Sequence, residues 1–515
     1  MSEQSEVIAF LADPASYRNR PAEVECIETH GALVFLAGSE VYKIKRAVKY
    51  PYMDFSTLEK RQRAIEREIE VNRDHAPQIY RGVVPIVRSP DGSFHFGADD
   101  RDQGEIVEWG VHMNRFPQSA LLSAVASRGE LDTELAKNIA TMIVDFHKAL
   151  KPINNVKAQT TVELILRGLL KSLKADSRVF NPRDVAEFEQ RTSAFIKRFS
   201  SDLLRRSQEG FIRRCHGDLH LNNIVMIGGK PVVFDAIEFD ERLAEIDIFY
   251  DLAFLLMDLD YRDLRGAANL ILSRYLLAQD LDASYEGLKL LPLFLSLRAA
   301  VRAMVTAQRA QNVDEDEASS DIKTARTYFH QALSYLAPAK ARLVAVGGLS
   351  GTGKSTLAAL LAPDIGAAPG ALHLRSDLER KKLFGVSETV RLSSDSYTQE
   401  SNEQVFSNLN HKAALSLKAG HSVIVDAVFA KSCEREAIEK VARDLDVPFV
   451  GLWLEAKKQT LIERVAARKG DASDATPAIV EMQVQYDVGN HTWSSIDANG
   501  SIIEMQQQAR KVLGL

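Results

Sequence analysis

Cysteine is scarce in this chain. Cys26, Cys215 and Cys433 lie far apart and match no metal-ligand spacing, which excludes a disulfide scaffold and points to a reducing compartment, the cytoplasm. No uncharged apolar run approaches the roughly 18 residues of a membrane span, so none is expected. The opening MSEQSEVIAF lacks a basic stretch followed by a long apolar core, so no secretion signal is expected. Positive charge is not in excess either: 64 Lys and Arg face 70 Asp and Glu, for a net charge of −6. That balance argues against nucleic acid or a membrane surface as partner. Internal repeats and low-complexity tracts are absent. The rest is an ordinary globular composition, 45% hydrophobic and 26% charged, with room in 515 residues for at least two domains.

The strongest positive signal is residues 342–357, RLVAVGGLSGTGKSTL. Leu343-Val344-Ala345-Val346 suits a buried parallel strand. Gly348, Gly353, Lys354 and Ser355 then satisfy G-x-x-x-x-G-K-[ST], the phosphate-binding loop. Glycines let the backbone curl until several N–H groups point at phosphate oxygens. The loop residues expected to hold ATP are Gly348, Ser350, Gly351, Thr352, Gly353, Lys354, Ser355 and Thr356. Lys354 brings a mobile charge to the β- and γ-phosphates, and the Ser355 hydroxyl can ligate Mg²⁺. A helix from Thr356 faces the anion with its N-terminus. Beyond it strand and helix alternate, as a parallel sheet requires, with candidate strands at 371–375, 422–425, 449–454 and 492–496. Val423-Ile424-Val425-Asp426 is an apolar strand ending in an acid at the carboxyl edge, the place of a metal ligand. Helix capping is the alternative use of Asp426.

Earlier in the chain, residues 28–36 and 40–45 read as strands joined at Ala37-Gly38-Ser39. Ser56-Thr57-Leu58-Glu59 is a capping box that opens a helix to about residue 74, with Leu58, Ile65 and Ile69 on its apolar face. Strands near 83–87 and 93–96 and an extended stretch at 105–113 follow. From Leu121 the pattern is helical, clearest over 132–150 and 184–204.

The second informative stretch is CHGDLHLNNI, residues 215–224. It continues through Val225-Met226-Ile227 and the turn Gly228-Gly229 to Val232-Val233-Phe234-Asp235. An antiparallel hairpin brings Asn223 and Asp235 to the same end, where an amide oxygen and a carboxylate suit Mg²⁺. Asp218 lies beside them, placed to take the proton of an attacking hydroxyl. His216 reads as a brace for the turn, Asp251 as a helix cap or loop brace, and Asp247 has no assignment. A helix over 292–310 carries Arg298 and Arg302. An acidic break at 312–317 and a last helix over 320–336 lead to Ala337-Pro338-Ala339-Lys340. The expected domains are 1–337, with lobes meeting near residue 110, and 338–515.

H-G-D-x-x-x-x-N followed by an apolar strand and Asp resembles the catalytic core of the aminoglycoside phosphotransferases and related small-molecule kinases with a protein-kinase-like fold. The resemblance covers roughly 28–336. It implies that Asp218 is the catalytic base and that Asn223 and Asp235 hold the metals. It makes Lys43 the strand lysine on the α- and β-phosphates, with Lys45 as rival, and Glu68 its partner, with Glu70 as alternative. The chain departs from the pattern in two places. Thr29-His30-Gly31-Ala32 stands where a G-x-G-x-x-G would precede Lys43, and Ala236-Ile237 follows Asp235 with no activation segment, which argues against a protein kinase.

The C-terminal part resembles P-loop kinases of small metabolites, such as gluconate kinase, chloramphenicol phosphotransferase and zeta toxins. That resemblance makes Asp377 the base facing the acceptor hydroxyl and Arg380 a substrate or phosphate ligand. It makes 461–468 a lid whose Arg464 and Arg468 neutralise the transferring phosphoryl group; two arginines on a solvated face are the alternative. The two-part order resembles a family of bacterial fusion proteins. The fold expected is therefore an N-terminal α+β protein-kinase-like bilobal domain followed by an α/β P-loop NTPase domain with a parallel sheet. The function expected is ATP- and Mg²⁺-dependent phosphoryl transfer to small-molecule hydroxyl acceptors. The alternative is a nucleotide-gated regulator whose N-terminal domain only binds. Arg205, Arg206, Arg213, Arg214, Arg298 and Arg302, clustered near or after the catalytic loop, suggest an anionic or neutral acceptor rather than a polycationic aminoglycoside.

Overall fold

A computed structural model describes residues 3–29, 31–50, 53–97, 104–154, 157–311, 313–468 and 470–515. The chain opens with a six-stranded antiparallel sheet in the order Val24–Glu28, Ala32–Ala37, Glu40–Lys45, Glu105–Asn114, Tyr80–Arg88, Phe94–Phe96. Both faces are covered. Val7 and Leu11 of the first helix (Glu3–Ala12) pack on Leu33 and Phe35, and Ile65 of the helix Leu58–Asn72 packs on Leu36 and Val41. A strand buried on both faces shows no polar–apolar alternation. The expected strand over 28–36 is divided: Val24–Glu28 ends before Thr29 and Ala32–Ala37 begins after Gly31. There the Thr29 hydroxyl accepts the Ala32 N–H at 3.0 Å. A Cβ on Gly31 would lie 2.9 Å from the Met53 sulfur. His30 lies outside the described residues. The helix cap is also one residue late: Thr57, not Ser56, is the N-cap and accepts from Lys60 N.

The strand Glu105–Asn114 leads into a helical lobe around the central helix Leu291–Arg309. The stretch 282–309 has the length and apolarity to cross a membrane, but 72% of its apolar window is buried in the protein, as a core helix's would be. The expected helix over 184–204 is two helices, Pro182–Arg198 and Ser200–Gln208. The acidic residues taken for a break open the helix Glu315–Tyr335, with Asp314 as N-cap. Glu315, Asp316 and Glu317 sit in its first turn, where the helix dipole favours negative charge. Asn312 lies outside the described residues.

The C-terminal domain is a five-stranded sheet in the order Leu372–Arg375, Val423–Asp426, Leu343–Gly348, Phe449–Glu455, Ser494–Asp497, every pairing parallel. Alternate residues of Leu343–Gly348 face opposite cores. Val344 and Val346 meet Leu357, Met505 and Ala509 of the helices Lys354–Leu361 and Ile502–Leu513. Leu343 and Ala345 face Leu409 and Ala413 of the helix Gln399–Lys418, in a core continuous with that of the helical lobe. One hydrophobic core therefore crosses the 337–340 junction.

Candidate functional sites

The first centre is organised by the hairpin Ile224–Ile227/Lys230–Val233. Pairing of Ile224 with Val233 sets Asn223 opposite Phe234, whose N–H donates to the Asn223 carbonyl at 3.1 Å. Asn223 Nδ2 donates to the Asp218 carbonyl and carboxylate, both at 2.9 Å, so its amide oxygen, a hard ligand, is left for a cation. Asp235 follows with φ +62°, a left-handed backbone that a non-glycine residue adopts only when its surroundings hold it. Here Tyr80 Oη accepts the Asp235 N–H at 3.0 Å.

The catalytic loop is braced from behind. Asp251 accepts the N–H groups of His216 (3.2 Å) and Gly217 (2.8 Å), which settles its use as a loop brace. His147 donates to the same carboxylate at 3.2 Å and bonds the Tyr275 hydroxyl at 2.8 Å through its other nitrogen. His216 Nε2 donates to the Phe234 carbonyl at 2.8 Å, and burial pushes its pKa down, so it is a neutral brace. Asp247, unassigned from sequence, caps the helix Ile248–Tyr261 and takes a bidentate pair from Arg206 at 2.6 and 2.7 Å. Burial alone would raise the Asp218 pKa. His220, 3.3 Å away, outweighs it with help from Arg302, and the carboxylate is held ionised.

Across the cleft, Lys43 and Lys45 share a face of their strand and both reach Glu68, at 2.8 and 2.6 Å. Lys43 extends to Asp235 at 2.5 Å, and Lys45 to Glu238 at 2.5 Å. Burial would push both lysines down, but Asp235 and Glu68 carry Lys43 well above its ordinary value, as Glu238 and Glu68 raise Lys45. Glu70 instead pairs with Arg67 at the surface. Of the two lysines, Lys43 is the one beside the candidate metal ligand. Glu238 escaped the sequence reading: it follows Asp235 by three residues with no spacing rule to mark it.

The second centre sits at the carboxyl edge of the parallel sheet. Gly348, Gly351 and Gly353 all have positive φ, and a Cβ on Gly351 would fall 2.7 Å from the Leu461 carbonyl. Ser350 and Thr352 are buried in the loop; Thr356 lies in the first turn of the helix behind it. Lys354 Nζ donates to the Leu349 carbonyl at 3.0 Å, closing the loop on itself, and its burial lowers its pKa. The Ser355 hydroxyl donates to Asp426 Oδ1 at 3.0 Å. A hydroxyl and a carboxylate oxygen so placed are a hard donor set that fits Mg²⁺. Asp377, in the first turn of the helix Ser376–Leu383, has a raised pKa from burial and from Asp426, against the pull of Arg375 and Lys354.

The arginines divide. Arg468 lies near enough to depress Lys354 and pairs with Asp471 at 3.3 Å. Arg464 donates to the carbonyls of Ala498 (2.8 Å) and Gly500 (3.1 Å). Among the described residues it makes no hydrogen bond or ion pair with the 348–355 loop. It ties the helix Lys458–Ala467 to the loop after the last strand. Arg380 is spent on the Ser396 carbonyl and Asn402. Around the first centre, Arg205 pairs with Asp202 and Glu286, Arg206 with Asp247, and Arg214 with Glu241. Arg213 and Arg298 donate to backbone carbonyls. Of the six, Arg302 helps to hold the Asp218 pKa down. Two residues missed from sequence, His373 and Arg375, stand beside Asp426 at 2.8 and 3.7 Å.

Two family models match parts of this chain. Residues 60–291 match the phosphotransferase enzyme family, and residues 343–486 match an AAA domain. The fold and sites define a kinase-like phosphotransferase domain followed by a P-loop kinase domain. An uncharacterized protein of Mycobacterium tuberculosis is 30% identical over 481 residues, spanning 91% of each chain, and this chain belongs to that two-domain family. Among solved structures, a gluconokinase from Sinorhizobium meliloti is 19% identical, with a TM-score of 0.26 over 34% of this chain and 91% of its own. A choline kinase from Cryptosporidium parvum is 12% identical, with a TM-score of 0.37 over 64% of this chain and 95% of its own.

Proposed function

We propose that the chain is an ATP- and Mg²⁺-dependent phosphotransferase with two separate nucleotide sites, each acting on a small molecule that bears a hydroxyl group. One observation carries the reading: each centre holds its own lysine, its own pair of hard oxygen ligands and its own carboxylate base. Lys43, Asn223, Asp235 and Asp218 form one set; Lys354, Ser355, Asp426 and Asp377 form the other. Neither lacks a part that the other would lend.

At the first centre Lys43, aligned by Glu68, contacts phosphate once a nucleotide displaces it from Asp235. Asp218, ionised and tethered by Asn223, orients the acceptor hydroxyl and takes its proton. At the second, the curled 348–355 backbone and Lys354 hold the phosphates, Arg468 adds charge from the lid, and Asp377 orients the acceptor. Asn223 and Asp235 at one centre, and Ser355 and Asp426 at the other, would hold Mg²⁺, which would supply charge neutralisation at the phosphates. The test is ATP consumption by wild type, Asp218→Asn, Asp377→Asn and the double mutant against a library of hydroxylated metabolites. Each single mutant is expected to lose a different set of acceptors. Silencing of all turnover by either one overturns the two-site reading.

A further inference from the structure

We propose that His373 is a positioning residue for the metal-binding carboxylate Asp426, and that the N-terminal domain seats it through Asn269 and Ser273. The proposal rests on the second centre being a nucleotide–Mg²⁺ site. In the parallel register Arg375 lies opposite Asp426 and His373 opposite Ile424, so His373 and Arg375 share the face that Asp426 uses. From its diagonal position His373 Nε2–H donates to Asp426 Oδ2 at 2.8 Å, while Oδ1 takes the Ser355 hydroxyl at 3.0 Å. Each carboxylate oxygen thus has a fixed task. Oδ2 is tied to the imidazole, and Oδ1 is aimed at the hydroxyl that completes the metal's donor pair. Without His373, the carboxylate can rotate about its last bond and lose that aim.

The strand Leu372–Arg375 lies at the edge of its sheet, so strand pairing holds it on one side only. The other side is held by the helix Arg265–Gln279 of the N-terminal domain. Asn269 Nδ2 donates to the Ala371 carbonyl at 2.8 Å, and the Ser273 hydroxyl accepts the His373 N–H at 3.2 Å. Ion pairs flank this contact: Asp280 with Lys412 at 2.7 Å and with Lys382 at 3.3 Å, and Lys137 with Glu388 at 3.2 Å. The backbone that carries His373 is therefore fixed by residues from the other domain, one turn apart on one helix. Outer partners of a metal ligand of this kind are worth roughly 10- to 100-fold in metal affinity.

The experiment is calorimetric titration of the full chain with a non-hydrolysable ATP analogue, with Mg²⁺ and again in excess EDTA. The signal that Lys354→Ala weakens by roughly tenfold or more is assigned to the second centre. His373→Ala is expected to weaken the Mg²⁺-dependent affinity by roughly tenfold or more while changing the EDTA value less than about twofold. His373→Gln, whose amide N–H reaches the same carboxylate oxygen, restores most of the loss. Ser273→Ala and Asn269→Ala produce the same Mg²⁺-specific loss, smaller in size. Equal weakening with and without Mg²⁺, or no rescue by glutamine, overturns the role of His373. Wild-type behaviour of both helix variants overturns the part assigned to the N-terminal domain. If His373→Ala does not fold, His373→Gln and the helix variants decide between the same outcomes. A wild-type chain with no Lys354-dependent signal refutes the nucleotide site itself, and the proposal with it. Lys354-dependent binding indifferent to Mg²⁺ refutes the proposal alone.

Discussion

The two centres are built in opposite ways. The second is local: its loop, lysine and hydroxyl lie within eight consecutive residues, 348–355. The first is assembled from afar. Lys43 meets Asp235 and Lys45 meets Glu238 across the gap between sheet and helical lobe, and buried Glu68 joins the two lysines. A centre built from contiguous backbone depends on glycine and on one sheet edge. A centre built from buried ion pairs depends on every partner being present, because a lone charge left in the interior is costly. The first should therefore be fragile to charge removal in its fold, and the second mainly in its affinity.

The largest effect should come from the bases. Asp218→Asn removes the acceptor's proton acceptor while keeping size, and ATP consumption at the first centre should fall roughly 10²- to 10⁴-fold with Lys354-dependent turnover intact. Next is Glu68→Ala, which takes from two buried lysines the carboxylate they share and leaves Asp235 and Glu238 as their partners. Urea unfolding should show a destabilisation of about 1.5–3 kcal/mol, against less than about 0.5 for surface Glu70→Ala. Equal effects of the two would erase the contrast drawn here. Lys354→Ala should cost roughly 10- to 100-fold in nucleotide affinity at the second centre with no change in melting temperature, since the lysine bonds its own loop. The smallest expected difference is in pH. The Asp377 pKa is raised, mainly by burial, and that cause persists when a cation engages Asp426. The Asp218 pKa is lowered. A base works only when deprotonated, so on acidification turnover at the second centre should fall first, at a higher pH than at the first. Coincident acid limbs in pH–rate profiles of the two single mutants would contradict this.

What was legible in the sequence follows the same division. The 348–355 loop and the 215–235 hairpin carry their geometry in contiguous spacing, and so Ser355 and Asn223 could be named from residues alone. Asp426 needed only an apolar strand ending at a sheet edge. Partners that meet through the tertiary fold left no such trace. Glu238 is marked by nothing near it, and its lysine is 193 residues away. His373 touches Asp426 only because of strand order and register. The arginines near the catalytic loop looked like a charged pocket because their counter-charges, Asp247 and Glu241 among them, could be paired with them only in three dimensions.

The core that crosses the 337–340 junction also changes what it would mean to cut the chain there. A protease acting on Ala337-Pro338-Ala339-Lys340 would sever one peptide bond but leave Leu343, Ala345, Leu409 and Ala413 packed with the helical lobe. The nicked protein should migrate as one particle and come apart only under denaturant. By the same token, the segment 338–515 made by itself would bare an apolar flank that the whole molecule never shows to water. Its expected fate is self-association, so the two halves are covalent neighbours by sequence and obligate ones by solubility.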